Sequence, residues 1–180
     1  METFIIAQAF GIIAMVMNVA SYQAKRQKTV IVMQLFGSLF FTVNMIMLSA
    51  TMGAILNIIG VLRAVVYSNK EKIKNIKVFN YIFISLYILS YAATFTIFGK
   101  EASAVNLIVE FLPVIGMTAT NIGFSLTSAA DIRKVMLISS PMWLTYHGIS
   151  LSLGGVLCEI FTLVSVFIGM LRYDIKKKVK

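Results

Sequence analysis

The chain has 180 residues, of which 59% are hydrophobic and only 13% are charged. Soluble domains carry about 45–50% apolar and about 25% charged residues, so this composition excludes a soluble domain with a charged surface. The net charge of +9 does not indicate nucleic acid, because the basic residues lie at the ends of apolar runs, where they serve as topology signals facing anionic lipid.

Apolar runs of about 20 residues, the length that crosses a bilayer, predict an all-α integral membrane protein of seven transmembrane helices. The first run is read as a permanent span and not as a cleavable signal peptide, since Glu2 is acidic and no Lys or Arg precedes the run. In chain order, the predicted spans are 3–22, 29–49, 52–69, 77–98, 102–125, 132–149 and 152–172.

Basic residues occur in every second loop of this arrangement. Fifteen of the sixteen Lys and Arg residues fall on one side, counting Arg63 near the end of the third span, and Lys100 is the exception. By the positive-inside rule, the basic side is the cytoplasm. The pattern predicts an N-terminus outside and a basic C-terminal tail inside.

Seven spans accommodate two three-helix units of the same orientation. Residues 1–75 would form the first bundle, 76–100 a linker helix, and 101–180 the second bundle with its basic tail. Parallel repeats are a known plan of transporters, with the substrate site between the halves. A shift of 102 residues without gaps aligns polar and small residues at equal depth, pairing Gln8 with Glu110, Ser38 with Ser140, Phe41 with Trp143, Gly53 with Gly155 and Asn57 with Glu159.

The third span carries Asn57 and Arg63 among apolar residues. Asn57 lies at the depth of Glu159 in the seventh span, so the two are expected to meet in a central hydrogen-bonding site. The alternative is a clamp between helices, because polar side chains also stabilise helix packing in membranes. Arg63 lies in the inner half of its span, where it either snorkels to the interface or contacts an anionic group.

The fifth span contains Glu110, followed one turn later by Pro113 and then by Gly116. Ionisable groups deep in a bilayer cost at least about 2.5–3.5 kcal/mol and usually face a cavity or a partner. Proline frees a backbone carbonyl and favours a kink. The stretch predicts a hinged gating helix with a cavity-facing acid. The alternative is a glutamate satisfied by neighbouring hydroxyls beside a static kink.

The sixth span carries Trp143, the only tryptophan, and His147 one turn later on the same face. A tryptophan in mid-membrane can stack on a flat ligand or serve as an ordinary packing residue. His147 would join Glu159 in proton coupling, or would be structural. One His and one Cys, Cys158, cannot make a usual zinc site. Hydrolase and phosphate-loop motifs are missing, so no enzyme, metal or cofactor is predicted.

Several stretches resemble the bacterial YgjV family of inner membrane proteins. The resemblance covers nearly the whole chain and implies location in the bacterial cytoplasmic membrane. It is carried by Glu110-x-x-Pro113-Val114-Ile115-Gly116, Trp143, Gly154-Gly155-x-x-x-Glu159, Ser21-Tyr22-Gln23-x-Lys25 and Gly53-Ala54-x-Leu56-Asn57.

More distantly, the layout is similar to the SWEET and PQ-loop transporters, which have two three-helix bundles and a linker helix. Gln23 resembles the glutamine of the PQ motif, although Tyr22 stands where that motif has proline. This resemblance implies a site at Asn57 and Glu159, with Phe41 and Trp143 beside it. A glutamate where a sugar site has asparagine favours a cationic or zwitterionic solute, or proton coupling.

The sequence therefore favours a secondary transporter or facilitator of a small polar solute, which would bind at mid-membrane and cross by alternating access. Membrane lipid and the solute are the expected partners, a homo-oligomer is compatible with the pattern, and nucleic acid is not expected. The first alternative is a non-transporting membrane adaptor, whose polar residues only direct helix packing. The second is an intramembrane enzyme, which would require Glu110 and His147 to share one hydrated pocket.

Overall fold

A computed structural model describes residues 2–21, 27–69, 72–73, 75–126 and 129–171. Within these residues the fold is all-helical, with seven helices and no strand, as the sequence predicted. Every helix end lies within three residues of the predicted boundary. The helices are α1 (Glu2–Ser21), α2 (Gln27–Met47), α3 (Thr51–Ser68), α4 (Ile76–Thr96), α5 (Ala104–Ser125), α6 (Ala129–Ile149) and α7 (Leu153–Gly169).

The helices present apolar side chains outward and polar side chains inward. Among the described residues, Glu2–Ser21, Ile76–Thr96 and Ala104–Gly123 are long and apolar enough to cross a membrane. Large apolar residues are exposed around the exterior, whereas the buried residues include many Ser, Thr and Asn side chains. Such an exterior is unfavourable in water and is covered by lipid acyl chains in a membrane. The exposed apolar residues include Ile5, Leu62, Leu89, Val105, Phe161 and Ile168.

Six of the seven helices pack into a closed ring. Neighbours in the ring are α1 with α2, α2 with α3, α3 with α5, α5 with α6, α6 with α7, and α7 with α1. The remaining helix, α4, packs against α3 and α5. Exchanging α1, α2 and α3 for α5, α6 and α7 reproduces the same set of neighbours around the ring.

The turn between α2 and α3 and the turn between α6 and α7 have the same conformation. Ser49 and Leu151, which lie 102 residues apart, both adopt a left-handed backbone with φ of 56° and 55°. Non-glycine residues rarely adopt this conformation. The flanking hydrogen bonds also recur at a spacing of 102: Ala50 N to Met45 O and Ser152 N to His147 O, each 2.9 Å. The end of the ring that carries residues 48–50 and 150–152 is called the turn end below.

Close approach of α1 and α7 depends on a glycine. A Cβ atom on Gly154 would lie 2.1 Å from the carbonyl carbon of Gly11 and 2.2 Å from its oxygen. Only a residue without a side chain therefore allows the two backbones to pack at this distance, as small residues commonly do between membrane helices. This contact closes the ring between the first and last helices.

Candidate functional site

A cavity of about 160 Å³ lies inside the ring and is lined by all six ring helices. This volume accommodates several water molecules or a small solute. No residue of α4 lines it. The polar side chains of the lining are Asn18, Gln34, Ser38, Asn57, Arg63, Thr120, Ser139, Ser140, His147, Glu159 and Thr162, and the larger apolar ones are Phe41, Met117, Met136 and Trp143, with Cys158 beside them.

The structure brings five of the sequence-predicted residues together at this cavity: Asn57, Arg63, Trp143, His147 and Glu159. The geometry of the α-helix explains why these residues meet although they lie far apart in sequence. Asn57 and Glu159 each lie six residues after the first residue of their helix, and therefore at the same depth below the turn end. Trp143 and His147 are one turn apart and share a face of α6.

The lining follows the 102-residue spacing seen at the turns. Twelve of its residues form six pairs at that spacing, one from each half of the chain. The repeat-related pairs are Asn18 with Thr120, Gln34 with Met136, Ser38 with Ser140, Phe41 with Trp143, Asn57 with Glu159, and Gly60 with Thr162.

Among the residues that the structure describes, Glu159 is the only one that brings a carboxyl group to the lining. Within the described part of the chain, the side-chain ion pairs are Lys100–Glu110 and Lys134–Asp131, so Glu159 belongs to neither. The Ser140 hydroxyl lies beside the Glu159 carboxyl. This leaves an acidic group facing the cavity with a hydroxyl neighbour and no cationic partner among the described residues.

Asn57 lines the same cavity as Glu159. Its Nδ2 donates a 2.8 Å hydrogen bond to the carbonyl oxygen of Gly53, one turn back in α3. One of the two amide hydrogens is thereby engaged with the helix, and the other hydrogen and the Oδ1 atom remain for further hydrogen bonds.

Three aromatic rings form one wall of the cavity. The Trp143 and His147 rings stack with centroids 5.3 Å apart and an interplanar angle of 27°, and Phe41 lies 5.5 Å from His147. The α5 backbone supports Trp143 from behind, since a Cβ on Gly116 would lie 2.7 Å from its Cδ1. His147 is buried, and its Nδ1 has no hydrogen-bond partner among the described residues.

Arg63 lies on α3, six residues beyond Asn57, which places its Cα about 9 Å farther from the turn end. The side chain lines the cavity, and its Nε and one Nη atom are buried. The Tyr87 hydroxyl of α4 lies within hydrogen-bonding reach of the Arg63 side chain.

The three residues predicted to form a gate lie behind the cavity wall. Glu110 is 1% exposed and does not line the cavity. Its carboxylate forms an ion pair with Lys100 and accepts a 3.3 Å hydrogen bond from Tyr146 Oη, which itself accepts a 2.9 Å bond from Gly53 N. Helix α5 remains continuous through the buried Pro113, and Gly116 contacts Trp143.

The first half supplies a matching set of hydrogen bonds at the turn end. Gln8 Nε2 donates to Leu151 O at 2.8 Å, and Gln8 Oε1 accepts from Leu153 N at 3.0 Å. Asn44 Nδ2 donates to Ala7 O at 2.7 Å, and Asn44 Oδ1 accepts from Ser152 Oγ at 2.6 Å. We call Gln8, Asn44, Lys100, Glu110, Tyr146 and Ser152 the turn-end layer.

The turn-end layer links the two halves through hydrogen bonds such as those from Gln8 to Leu151 and from Gly53 to Tyr146. Gln8 and Asn44 lie 102 residues before Glu110 and Tyr146, so both halves place a polar side chain at equivalent positions. Sequence reasoning paired Gln8 with Glu110 but overlooked Asn44, Tyr146 and the partner role of Lys100. The sequence does contain a signal for the Lys100–Glu110 pair. Lys100 is the one basic residue on the side opposite to the other fifteen, which suggests a specific acidic partner.

The enzyme alternative and the resemblance to the PQ motif depend on where Glu110, His147 and Gln23 lie. An enzyme using Glu110 and His147 would need both in one hydrated pocket, and only His147 lines the cavity. The PQ-like glutamine, Gln23, and the basic C-terminal tail lie outside the described residues.

Comparison with known proteins gives one match. A family model, Imp-YgjV, described as a bacterial inner membrane protein, matches residues 5–177. Neither a search of curated proteins nor a search of solved structures found a match. The match spans nearly the whole sequence and agrees with the lipid-compatible exterior of the helices. The chain therefore belongs to the YgjV family of bacterial inner membrane proteins.

Proposed function

We propose that this protein is a facilitator or secondary transporter of a small polar solute, which binds in the central cavity between the bundles of residues 1–75 and 101–180. The observation that carries the proposal is the cavity itself. It is lined by polar side chains from all six ring helices, and six pairs of its residues recur at a spacing of 102. A protein that only packs its helices together has no need of a polar cavity at the centre of its ring.

The repeated architecture supports an alternating-access mechanism. Transporters built from two repeats bind substrate at the repeat interface and move one bundle against the other. The equal turns at residues 48–50 and 150–152, and the ring order of the helices, support two repeats of the same orientation. Helix α4 then serves as the linker.

The cavity and the turn-end layer lie at different levels of the ring. Lining residues such as Asn18, Arg63 and Thr120 lie in the helix halves that end at Ser21, Ser68 and Ser125, away from the turns. The positive-inside rule assigns these helix ends to the cytoplasm. On this assignment the turn end faces outside, and we expect the solute to reach the cavity from the cytoplasm. Pro113 is the proposed hinge in α5.

Cys158 offers a direct test of this access, because it lines the cavity and is the only cysteine of the chain. A membrane-impermeant maleimide is expected to label Cys158 faster in inside-out vesicles than in right-side-out cells, and Cys158→Ser should abolish the labelling. Faster labelling from the outside, or none from either side, would contradict a cavity that is accessible from the cytoplasm.

Transport itself is tested by filling the cavity. A thermal-shift screen of small polar metabolites identifies solutes that stabilise the folded protein, and their uptake is then measured in proteoliposomes. Gly60→Leu should reduce uptake to the level of protein-free liposomes, since Gly60 lines the cavity. Gly148→Leu is the matched control, because Gly148 is exposed and an added Cβ there meets no atom within 4 Å. Equal uptake by both variants, or no uptake of any stabilising solute, would favour the adaptor alternative.

A further inference from the structure

The geometry points to an organic cation, with Glu159 as the counter-ion of an ammonium group, as the class of solute that the cavity binds. This assignment rests on the proposed function of the cavity as a solute site. The sequence left three roles open for Glu159, which are binding of a cationic solute, binding of a zwitterionic solute, and proton coupling. This assignment selects binding of an ammonium group. Three features of the lining support it: charge, aromatic surface and the kind of hydrogen-bonding atoms presented.

The charge of the lining is the first feature. Glu159 is the only acid that faces the cavity, and it makes no ion pair among the described residues. An ionised carboxylate within a membrane protein is costly without a partner. The buried acid Glu110 has such a partner in Lys100. At Glu159 that partner is supplied by a cation entering the cavity.

The aromatic wall is the second feature. Trp143 and Phe41 line the same cavity as Glu159 and are themselves a repeat-related pair. Tryptophan is the most favourable aromatic side chain for cation–π attraction, which is worth about 0.5–1 kcal/mol at exposed sites and about 2 or more when desolvated. The stacking of Trp143 on His147 and its contact with Gly116 hold the ring in place.

Hydrogen-bond polarity is the third feature. Asn57 lines the cavity with an Oδ1 acceptor and with one amide hydrogen that Gly53 O does not take. In its ionised form the Glu159 carboxylate is acceptor-only, and the Ser140 hydroxyl beside it accepts as well as donates. An ammonium group has three donors and no acceptor. A neutral polyol also finds hydrogen-bonding partners in this lining, but it gains no charge attraction from the Glu159 carboxylate.

The other ionisable groups that face the cavity lie on three helices: Arg63 on α3, His147 on α6 and Cys158 on α7. Arg63 lies about 9 Å farther along the ring axis than Asn57. A solute carboxylate, where there is one, would be directed toward Arg63 while the ammonium group meets Glu159. An anion without an ammonium group has no place beside Glu159.

Four probes of nearly equal size separate these classes: ethanolamine, ethylene glycol, glycolate and glycine. Each is titrated into purified wild-type protein and Glu159→Gln, with binding measured by calorimetry and by the shift in unfolding temperature. We expect ethanolamine to bind and ethylene glycol and glycolate not to bind. Glu159→Gln should weaken ethanolamine binding by at least about tenfold, which corresponds to about 1.4 kcal/mol.

A variant with the two residues exchanged distinguishes loss of the carboxylate charge from damage to the fold. Asn57 and Glu159 are repeat-related, so Asn57→Glu combined with Glu159→Asn returns one carboxylate to the cavity from the opposite half. This double variant should bind ethanolamine more tightly than Glu159→Asn alone. Should Glu159→Gln fail to fold, the ranking of the four probes on the wild-type protein and the transposed pair still decide the question.

Binding of glycine as well as ethanolamine, with both weakened in Glu159→Gln, supports an ammonium site. Binding of ethylene glycol or glycolate as tight as that of ethanolamine overturns it, as does undiminished ethanolamine binding in Glu159→Gln or no binding of any ammonium probe. In those cases the proposed function still stands if another solute that binds is transported and Gly60→Leu blocks its uptake. Failure of that uptake test, with ethanolamine binding intact, would instead refute transport and leave the ammonium site.

Discussion

Gly154→Ala is expected to separate α1 from α7 and to lower the unfolding temperature of the protein. The added Cβ would lie 2.1 Å from the carbonyl carbon of Gly11. Because that neighbour is backbone, no rotamer change relieves the overlap, and one helix must move. Overpacking of this kind costs about 1–3 kcal/mol, and occasionally more. Movement of α7 would also lengthen the hydrogen bonds from Gln8 to Leu151 and Leu153.

Gly123→Ala is the matched control, since Gly123 is also buried in a helix and its added Cβ would lie 3.5 Å from Val135 Cγ1, an ordinary contact distance. Alanine is the better helix former, so this variant should unfold at the wild-type temperature or above it. Thermal unfolding of both variants is measured in the same detergent. An unfolding temperature of Gly154→Ala equal to that of Gly123→Ala would contradict the close packing of α1 on α7.

Lys100→Met is expected to destabilise the protein more than the combined change Lys100→Met with Glu110→Gln. The single change leaves the buried Glu110 carboxylate without its cation, while Tyr146 alone still donates to it. Removing one member of a buried ion pair costs about 3–5 kcal/mol. The Lys100 side chain is 32% exposed, so the lower end of this range applies. The combined change removes both charges and should recover most of the loss.

A double-mutant cycle measures this coupling through the unfolding temperatures of the wild type, the two single variants and the double variant. The exposed pair Lys134–Asp131 provides the control cycle, using Lys134→Met and Asp131→Asn. Exposed pairs three residues apart on a helix couple by about 0.5 kcal/mol or less. Additive effects at Lys100 and Glu110, of the size found at the control pair, would show that the ion pair does not hold the turn-end layer together.

The position of each candidate residue along its helix was predictable from the sequence. Asn57, Trp143, His147 and Glu159 were each assigned to a level within a helix, and the structure brings them to one cavity. Helix rise per residue and bilayer thickness determine depth from residue number alone. The 102-residue spacing then matched the two halves level by level, and the equal turns at Ser49 and Leu151 recur at the same spacing.

The hydrogen-bond and ion-pair partners of the buried polar residues were harder to predict than their positions along the helices. Glu110 was expected to face the cavity, and the structure instead pairs it with Lys100 behind the wall. Asn44 drew no attention in the sequence, although it binds Ala7 and Ser152 in the turn-end layer. A hydropathy pattern without a strong polar face does not indicate which way each helix is rotated in its bundle, and partners depend on that rotation.

By itself, the sequence determined the membrane setting, the number and ends of the helices, and the level of each polar residue. These properties follow from local quantities: apolar run length, helix rise and the positions of charged residues. Only the tertiary structure decided which polar residues share the cavity and which join the two halves in the turn-end layer. That choice is made by packing between helices far apart in sequence, such as the contact of Gly154 with Gly11, which sets helix rotation and spacing.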